Sequence, residues 1–171
     1  MNRRLVKSLA IVSISALLAA CGSSVKLDED STAGGPGAGY SSGVDSTAAG
    51  QFDPFNPQSP LAQQRSVYFD FDSYVIKDEY RPVVEMHARY LTSNPNQYVI
   101  IEGHTDERGS SEYNLALGQR RSEAVRRMLL LLGVRDEQVE AISFGKERPR
   151  ALGHTEADYA ENRRADFVYR R

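Results

Sequence analysis

Regular apolar spacing is confined to the C-terminal part of this 171-residue chain, and it limits what the chain can fold into. From Arg65 onward, short stretches with a two-residue apolar period alternate with longer stretches that have a helical period. This pattern is typical of strands and helices that share one core. Residues 22–64 show no such spacing. The sequence therefore predicts a single folded domain of ordinary size, residues 65–171, behind a long non-globular segment.

The chain begins with the features of an export signal. A basic start is followed by an apolar run, Ser8 to Ala20, which is too short to span a bilayer comfortably as a helix. The run ends in Leu18-Ala19-Ala20-Cys21, which resembles a lipobox. Residues 1–20 are therefore predicted to be a lipoprotein signal peptide that is removed before a lipidated Cys21. The alternative is an ordinary secretory signal with a chance cysteine at the cleavage point.

Cys21 is the only cysteine, so the chain can form neither an internal disulfide nor a cysteine metal site. An N-acyl chain and an S-diacylglycerol on Cys21 would together exceed the marginal anchoring that one acyl chain provides. Apart from this covalent lipid, no cofactor is expected. Gly22 follows the cysteine, where lipoproteins kept at the inner membrane usually carry Asp. The resemblance implies an outer-membrane lipid anchor, with the domain in the periplasm.

Residues 21–64 are predicted to be the lipidated cysteine and a flexible linker. The segment is rich in Gly, Pro and Ser and cannot bury enough apolar surface to offset the entropy of ordering it. A chain of this kind has a root-mean-square reach on the order of 35 Å. Phe52 and Phe55 leave a second possibility open, in which the end of this segment docks on the domain.

Four strands and two main helices are predicted within residues 65–171. Asp78 is a plausible N-cap of the first helix, which Asn94-Pro95 ends; the second helix follows a turn at Gly109 and ends at Gly133. A further helical turn is predicted near Glu156–Ala160. The predicted strands are Val67–Asp72, Tyr98–Glu102, Val139–Phe144 and Ala165–Tyr169. The order β-α-β-α-β-β predicts an α/β sandwich in which two helices cover one face of a mixed four-stranded sheet.

Arg121 is the residue that fits this pattern least well. It shares a helix stripe with Leu117 and Val125, and a guanidinium group on an apolar face is costly unless it is paired. Asp106 lies in the loop after the second strand, which leads into the same helix. The two charges could form a structural ion pair, or both could line a pocket for a zwitterionic ligand. In a third alternative, the guanidinium group of Arg121 extends to the surface. Spacing alone does not decide between the three.

Four segments resemble one family of envelope proteins. They are VYFDFDSY, EGHTDERGSSEYNLALGQRRSEAV, SFGKERP and ENRRADFVY, and together they span most of residues 65–171. They are similar to the peptidoglycan-associated lipoprotein (Pal) family of Gram-negative bacteria and carry the TD-x-x-G and N-x-x-L-[SG]-x-x-R signature of OmpA-like peptidoglycan-binding domains. His104 stands where some relatives have Asn. The lipobox and linker resemble Pal more than OmpA, in which a membrane barrel precedes the domain.

The resemblance implies a diaminopimelate-binding site in this chain. Asp106 and Arg121 would bind the amino and carboxylate groups of the free end of meso-diaminopimelate in the peptidoglycan stem. Leu117 would pack on the stem, and Asn114 would hold the loop in shape. The remaining residues that the resemblance assigns to the site are Phe71, Asp72, Ser73 and Arg164.

The same resemblance implies a non-catalytic tether between outer membrane and cell wall. Its partners would be peptidoglycan, the outer membrane through the lipid, TolB and TolA, within the Tol–Pal system that acts in envelope integrity and division. The net charge of −2 offers no basic excess for nucleic acid.

Three other functions are possible alternatives, and each makes a demand that can be checked. A metalloenzyme would use His104, Asp106 and Glu107, but no H-E-x-x-H motif is present. A hydrolase or covalent cross-linker would need a nucleophile beside a base, and neither G-x-S-x-G nor S-x-x-K occurs. A protein that binds only other proteins would have no affinity for stem peptides.

Overall fold

The computed structural model describes residues 52–171. The predicted signal peptide, Cys21 and linker residues up to 51 lie outside this range. The structure contains one mixed sheet in the order β1-β4-β2-β3, in which β4 runs antiparallel to both of its neighbours and β3 runs parallel to β2. Within the described residues, no helix combines the length and the apolar character that a membrane span requires.

The elements follow the chain in the predicted order, with one short helix added at the start. The strands are β1 (Ser66–Tyr68), β2 (Tyr98–His104), β3 (Val139–Gly145) and β4 (Arg164–Arg170). The helices are α1 (Pro60–Gln63), α2 (Arg81–Ser93), α3 (Ser111–Leu131) and α4 (Glu156–Asn162), and single 3-10 turns cover Asp78–Tyr80 and Asp136–Gln138. The predicted fold class is therefore confirmed.

Both long helices pack on the same face of the sheet. Val84 of α2 and Val125 of α3 join Val99 and Ile101 of β2 in one buried cluster. Ile100 lies between those two β2 residues and is 2% exposed, although strand geometry turns it to the opposite face. The central strand is therefore buried on both sides, as its continuous apolar run predicts.

The first strand and the start of the second helix differ from the prediction. β1 ends at Tyr68, because the chain turns through Asp70–Asp72 and Asp72 adopts φ +55°. Asp78 does not cap α2: it begins a 3-10 turn, its carboxylate accepts from Arg81, and α2 starts at Arg81 with Pro82 in its first turn. The alternation predicted a strand over Val67–Asp72; Val67 and Tyr68 lie in β1, whereas Asp70–Asp72 belong to the turn.

The end of the predicted linker packs on the domain. Leu61 of α1 is fully buried, and Phe55 packs against the core with its ring edge toward Tyr169, at 6.5 Å between centroids. The predicted boundary at residue 64 is therefore wrong for residues 52–64, and the alternative in which this segment docks is correct for Phe55. Phe52 remains 47% exposed.

His87 joins this docked segment to the core. Its Nε2 lies 2.8 Å from the carbonyl oxygen of Gln64, and its Nδ1 lies 2.8 Å from the Tyr169 hydroxyl. A carbonyl can only accept, so Nε2 donates and Nδ1 accepts from Tyr169. The ring also stacks on Phe167 at 3.9 Å. Burial lowers the pKa of His87 from 6.5 to about 4, so the folded protein holds a neutral imidazole.

This pKa predicts a specific loss of stability in acid. Between pH 6.5 and about 4, His87 binds a proton in the unfolded chain but stays neutral in the folded one. Its contribution to the free energy of unfolding is therefore complete above pH 6.5 and falls as the pH drops. The loss should reach on the order of 3 kcal/mol. Urea unfolding at pH 7, 5.5 and 4 should give a shallower pH dependence for His87→Phe than for wild type. The exposed His154 supplies the control, and equal slopes for His87→Phe and His154→Phe would contradict the assignment.

Candidate ligand-binding site

A solvent-open cavity of about 200 Å³ lies between the end of β2, the start of α3 and the turn after β1. Its walls combine two aromatic rings, acidic groups and two guanidinium groups. The lining residues are Phe71, Asp72, Thr105, Asp106, Arg108, Gly109, Tyr113, Asn114, Leu117 and Arg121.

A close backbone approach brings α3 to this position. A side chain at Gly103 of β2 would collide with the carbonyl oxygen of Gly118 in α3, and one at Gly118 would collide with the Ser143 hydroxyl of β3. Two glycines therefore allow the helix to lie directly on the sheet. Ser110 caps the helix by accepting from the Tyr113 amide. This packing carries Arg121 under the cavity floor.

Arg121 is fully buried and is held by main-chain oxygens. Its Nε donates to Ser73 O at 2.8 Å, its Nη1 to His104 O at 2.8 Å and its Nη2 to Asp70 O at 3.2 Å. A guanidinium group has five N–H donors, so one N–H on each terminal nitrogen remains. Burial lowers the pKa of Arg121 to about 10, which leaves it charged at neutral pH. Its charge is thus hydrogen-bonded but has no carboxylate bound directly to it among the described residues.

Asp106 lines the same cavity but pairs with other arginines. Its Oδ2 accepts from Arg108 at 2.6 Å and from Arg163 at 3.4 Å, and its Oδ1 accepts from the Arg108 amide at 3.1 Å. Burial alone would raise the pKa of Asp106, but these hydrogen bonds outweigh it and keep the pKa below the usual range. The structural Asp106–Arg121 ion pair, one of the alternatives that spacing left open, is not formed. The carboxylate is nevertheless already occupied, which sequence reasoning did not foresee.

Arg108 forms one side of the cavity. Its guanidinium group lies between two rings, 4.2 Å from the centroid of Phe71 and 4.5 Å from that of Tyr159. It also reaches Glu156 at 3.4 Å. The side chain is therefore stacked and ion-paired at once, which restrains a long, partly exposed arginine.

The turn after β1 also contributes to the cavity wall. Phe71 and Asp72 line the cavity, whereas Ser73 contributes the carbonyl oxygen that binds Arg121. The Asp72 carboxylate accepts a hydrogen bond from the Tyr113 hydroxyl. These contacts tie the turn to α3 at two points.

Asn114 and Leu117 shape the floor. Asn114 is 1% exposed and donates from its amide to Arg108 O at 2.9 Å, which fixes the loop between β2 and α3. Leu117 is buried on the next turn of α3 and presents an apolar wall. Both residues lie where the helical spacing placed them relative to Arg121.

Arg164 is absent from the cavity lining, and its neighbour Arg163 bonds with Asp106. Arg163 directly follows α4 and also donates to Phe69 O, whereas Arg164 begins β4 and its Nε donates to Asp166 at 2.9 Å. The assignment of Arg164 to the site, which rests on the resemblance, therefore stays a prediction; neither arginine of the Arg163-Arg164 pair lines the cavity. The sequence analysis did not assign Arg108, Tyr113 or Arg163 to the site. All three lie in the segments that resemble the Pal family, but nothing else in the sequence singles them out.

The residues of the proposed metal cluster do not converge. The ring of His104 faces Glu102 and Asp166, with its Nε2 3.6 Å from an Asp166 oxygen, while Glu107 accepts from His154 and Tyr159. Across residues 52–171, no group of three or more His, Cys, Asp or Glu side chains is arranged to hold a metal ion.

Comparison with known proteins decides the family. The model of the OmpA family matches residues 68–163. The chain belongs to the OmpA family. Two relatives of this OmpA-family chain, each named peptidoglycan-associated lipoprotein, are 42% identical to it: that of Pasteurella multocida over 98% of this chain and 99% of its own length, and that of Haemophilus influenzae over 97% and 99%. The Pal resemblance recognised in the sequence is thereby confirmed.

Solved structures agree with this assignment for the OmpA-family domain. The crystal structure of the peptidoglycan-associated lipoprotein from Burkholderia pseudomallei is 64% identical, with a TM-score of 0.66 over 69% of this chain and 100% of that chain. The C-terminal domain of Helicobacter pylori MotB has a TM-score of 0.57 at 19% identity over 61% of this chain and 82% of that chain. At this low identity, the similarity to MotB shows a shared fold and nothing more.

Replacing Arg121 with leucine should destabilise the fold. The change leaves the carbonyl oxygens of Asp70, Ser73 and His104 without their buried donor, which should cost roughly 2–4 kcal/mol. Arg120→Leu is the matched control, because the neighbouring arginine is exposed and its loss should change stability by about 0.5 kcal/mol. Equal urea midpoints for the two variants would show that the carbonyl contacts contribute little.

Proposed function

We propose that this domain binds peptidoglycan noncovalently through the diaminopimelate end of its stem peptide. One observation carries the proposal: a buried guanidinium group, with N–H donors left over and no carboxylate bound to it among residues 52–171, lines an open cavity. A buried charge of this kind is costly unless an anion completes its environment. The names of the relatives support the same ligand.

The carboxylate of the ligand is the group that Arg121 would bind. The remaining N–H donors lie one on each terminal nitrogen, which suits the two parallel bonds of an arginine–carboxylate pair. Three main-chain acceptors already fix the plane of the guanidinium group. The group therefore needs little reordering when the ligand enters, and preorganisation of this kind reduces the entropic cost of binding.

The ammonium group of the ligand would be received by the acidic side of the cavity. Asp106 and Asp72 both line it. At Asp106 an ammonium has to share the carboxylate with Arg108 or displace it, since that pair is already formed. The binding is thus an exchange of one cation for another at Asp106, which favours a reversible complex.

The proposed role is mechanical and involves no bond making or breaking. A lipid on Cys21 would hold the chain in the outer membrane, residues 22–51 would span the gap, and the domain would hold the wall. A modest affinity at each site suffices, because many anchored copies raise the effective concentration. Family resemblance extends the proposal to the Tol–Pal system, with TolB competing for the surface around the cavity and TolA as a second partner.

Titration with stem peptides tests the binding site. Wild type should bind a diaminopimelate stem peptide on the order of 10–100 times more tightly than its lysine analogue, which lacks the carboxylate proposed to meet Arg121. Asp106→Asn should weaken diaminopimelate binding by a similar factor, with folding checked by circular dichroism. The matched control is Asp136→Asn, which removes an exposed carboxylate paired with Arg126. A protein that binds neither peptide, or releases muropeptides from sacculi, would overturn the proposal.

Cell fractionation tests the anchor. Cys21→Ser removes the thiol that would carry the diacylglycerol, so the variant should appear in the soluble periplasmic fraction while wild type sediments with the outer membrane. Ser24→Ala changes a nearby hydroxyl residue and should fractionate as wild type does. Sedimentation of Cys21→Ser with outer membranes, in the presence of excess soluble stem peptide to block wall binding, would refute lipid anchoring.

A further inference from the structure

Asp72 is held in an unusual backbone conformation at the cavity mouth. Its φ of +55° is the only positive φ of a non-glycine residue among residues 52–171. Aspartate tolerates this region better than most residues, but the conformation still has to be stabilised by its surroundings. The residue is exposed, so core packing does not supply that stabilisation. A local contact must do so.

Tyr113 supplies such a contact from the opposite side of the mouth. Its hydroxyl donates to Asp72 Oδ1 and thus bridges the turn after β1 and the first turn of α3. The backbone on both sides of Asp72 is fixed from below, because Arg121 donates to the carbonyl oxygens of Asp70 and Ser73. The turn is therefore held by the Arg121 guanidinium group through its main chain and by the Tyr113 hydroxyl through the side chain of Asp72.

The two acidic groups of the cavity differ in what they can still bind. Asp106 accepts hydrogen bonds from Arg108 and Arg163. Asp72 accepts from Tyr113 through Oδ1, whereas no protein donor reaches its Oδ2 within the described residues. A phenol is neutral, so it orients the Asp72 carboxylate without neutralising it. Arg108, in contrast, cancels much of the charge of Asp106.

We infer that Tyr113 is a positioning residue that holds the Asp72 carboxylate as a second acceptor, beside Asp106, for the ammonium group of the ligand. The inference rests on the function proposed above and assigns a role that it left open. Asp72 offers a charged oxygen with no protein cation to displace. The hydrogen bond to Asp72 also raises the pKa of Tyr113 above its usual value, which is consistent with a phenol that donates to a charged carboxylate.

A ligand pair that differs in one group tests the inference. The first is the diaminopimelate stem peptide, and the second is its 2-aminopimelate analogue, in which the terminal amino group is replaced by hydrogen. Wild-type full-length protein should bind the first more tightly. Tyr113→Phe should reduce the ratio of the two dissociation constants on the order of three- to tenfold, the value of one hydrogen bond, while affinity for the analogue stays near wild type.

Two further variants separate positioning from simple contact. Tyr74→Phe is the matched control: Tyr74 is similarly exposed and lies near the same Arg120 guanidinium, but its hydroxyl does not bond with Asp72. Asp72→Asn keeps an oxygen for Tyr113 but removes the charge, and it should lower the ratio as Tyr113→Phe does. Adding Tyr113→Phe to Asp72→Asn should then lower the ratio no further, because the two residues act as one unit.

The possible outcomes separate this inference from the proposed function. An unchanged ratio in Tyr113→Phe, or an equal loss for both ligands, overturns the positioning role while peptidoglycan binding stands. Additive losses in the double variant also overturn it. Failure of wild type to bind either peptide rejects the proposed function and this inference together. Amide chemical shifts of residues 71–73 in ligand-free Tyr113→Phe and Tyr74→Phe confirm that only the first change moves the turn.

Discussion

The structure depends on one buried cation. Arg121 extends from α3 and donates to carbonyl oxygens in the turn after β1 and at the end of β2, so a single side chain connects three segments that are remote in sequence. Main-chain acceptors take three of the five N–H donors of the guanidinium group and do not cancel its charge. The same contacts that hold the domain together therefore leave a net positive centre at the cavity floor, which is what a carboxylate-binding site requires.

The other charged side chains around the cavity bond with partners other than Arg121. Asp106 lies close enough to favour its charge but bonds with Arg108 and Arg163 instead. Arg108 is in turn restrained between the rings of Phe71 and Tyr159. Each neighbour of the central guanidinium thus has its own partner, so the cavity does not collapse into an internal ion pair. This arrangement leaves the cavity open, as the proposed binding of a doubly charged ligand end requires.

The segment before the sheet contributes to the domain as well as to its attachment. His87 donates to Gln64 O, and Phe55 packs near Tyr169, so the chain leaves the domain from a defined place on the core. The boundary between linker and domain is therefore a packing property, which composition alone placed about a dozen residues too late.

The sequence by itself determined the fold class, the order of the main elements and six of the residues that line the cavity. The apolar periods fixed α3 and β2, and the spacing of Asn114, Leu117 and Arg121 put them on one helix stripe because helical geometry is local. Only the tertiary structure decided which charges meet. Asp106 bonds with Arg108 and Arg163 while Arg121 bonds with carbonyl oxygens, and these choices depend on chain crossings and burial that no local pattern encodes. Arg163 and Arg164 differ for the same reason: the two adjacent arginines are alike in the sequence, but the start of β4 gives them different partners.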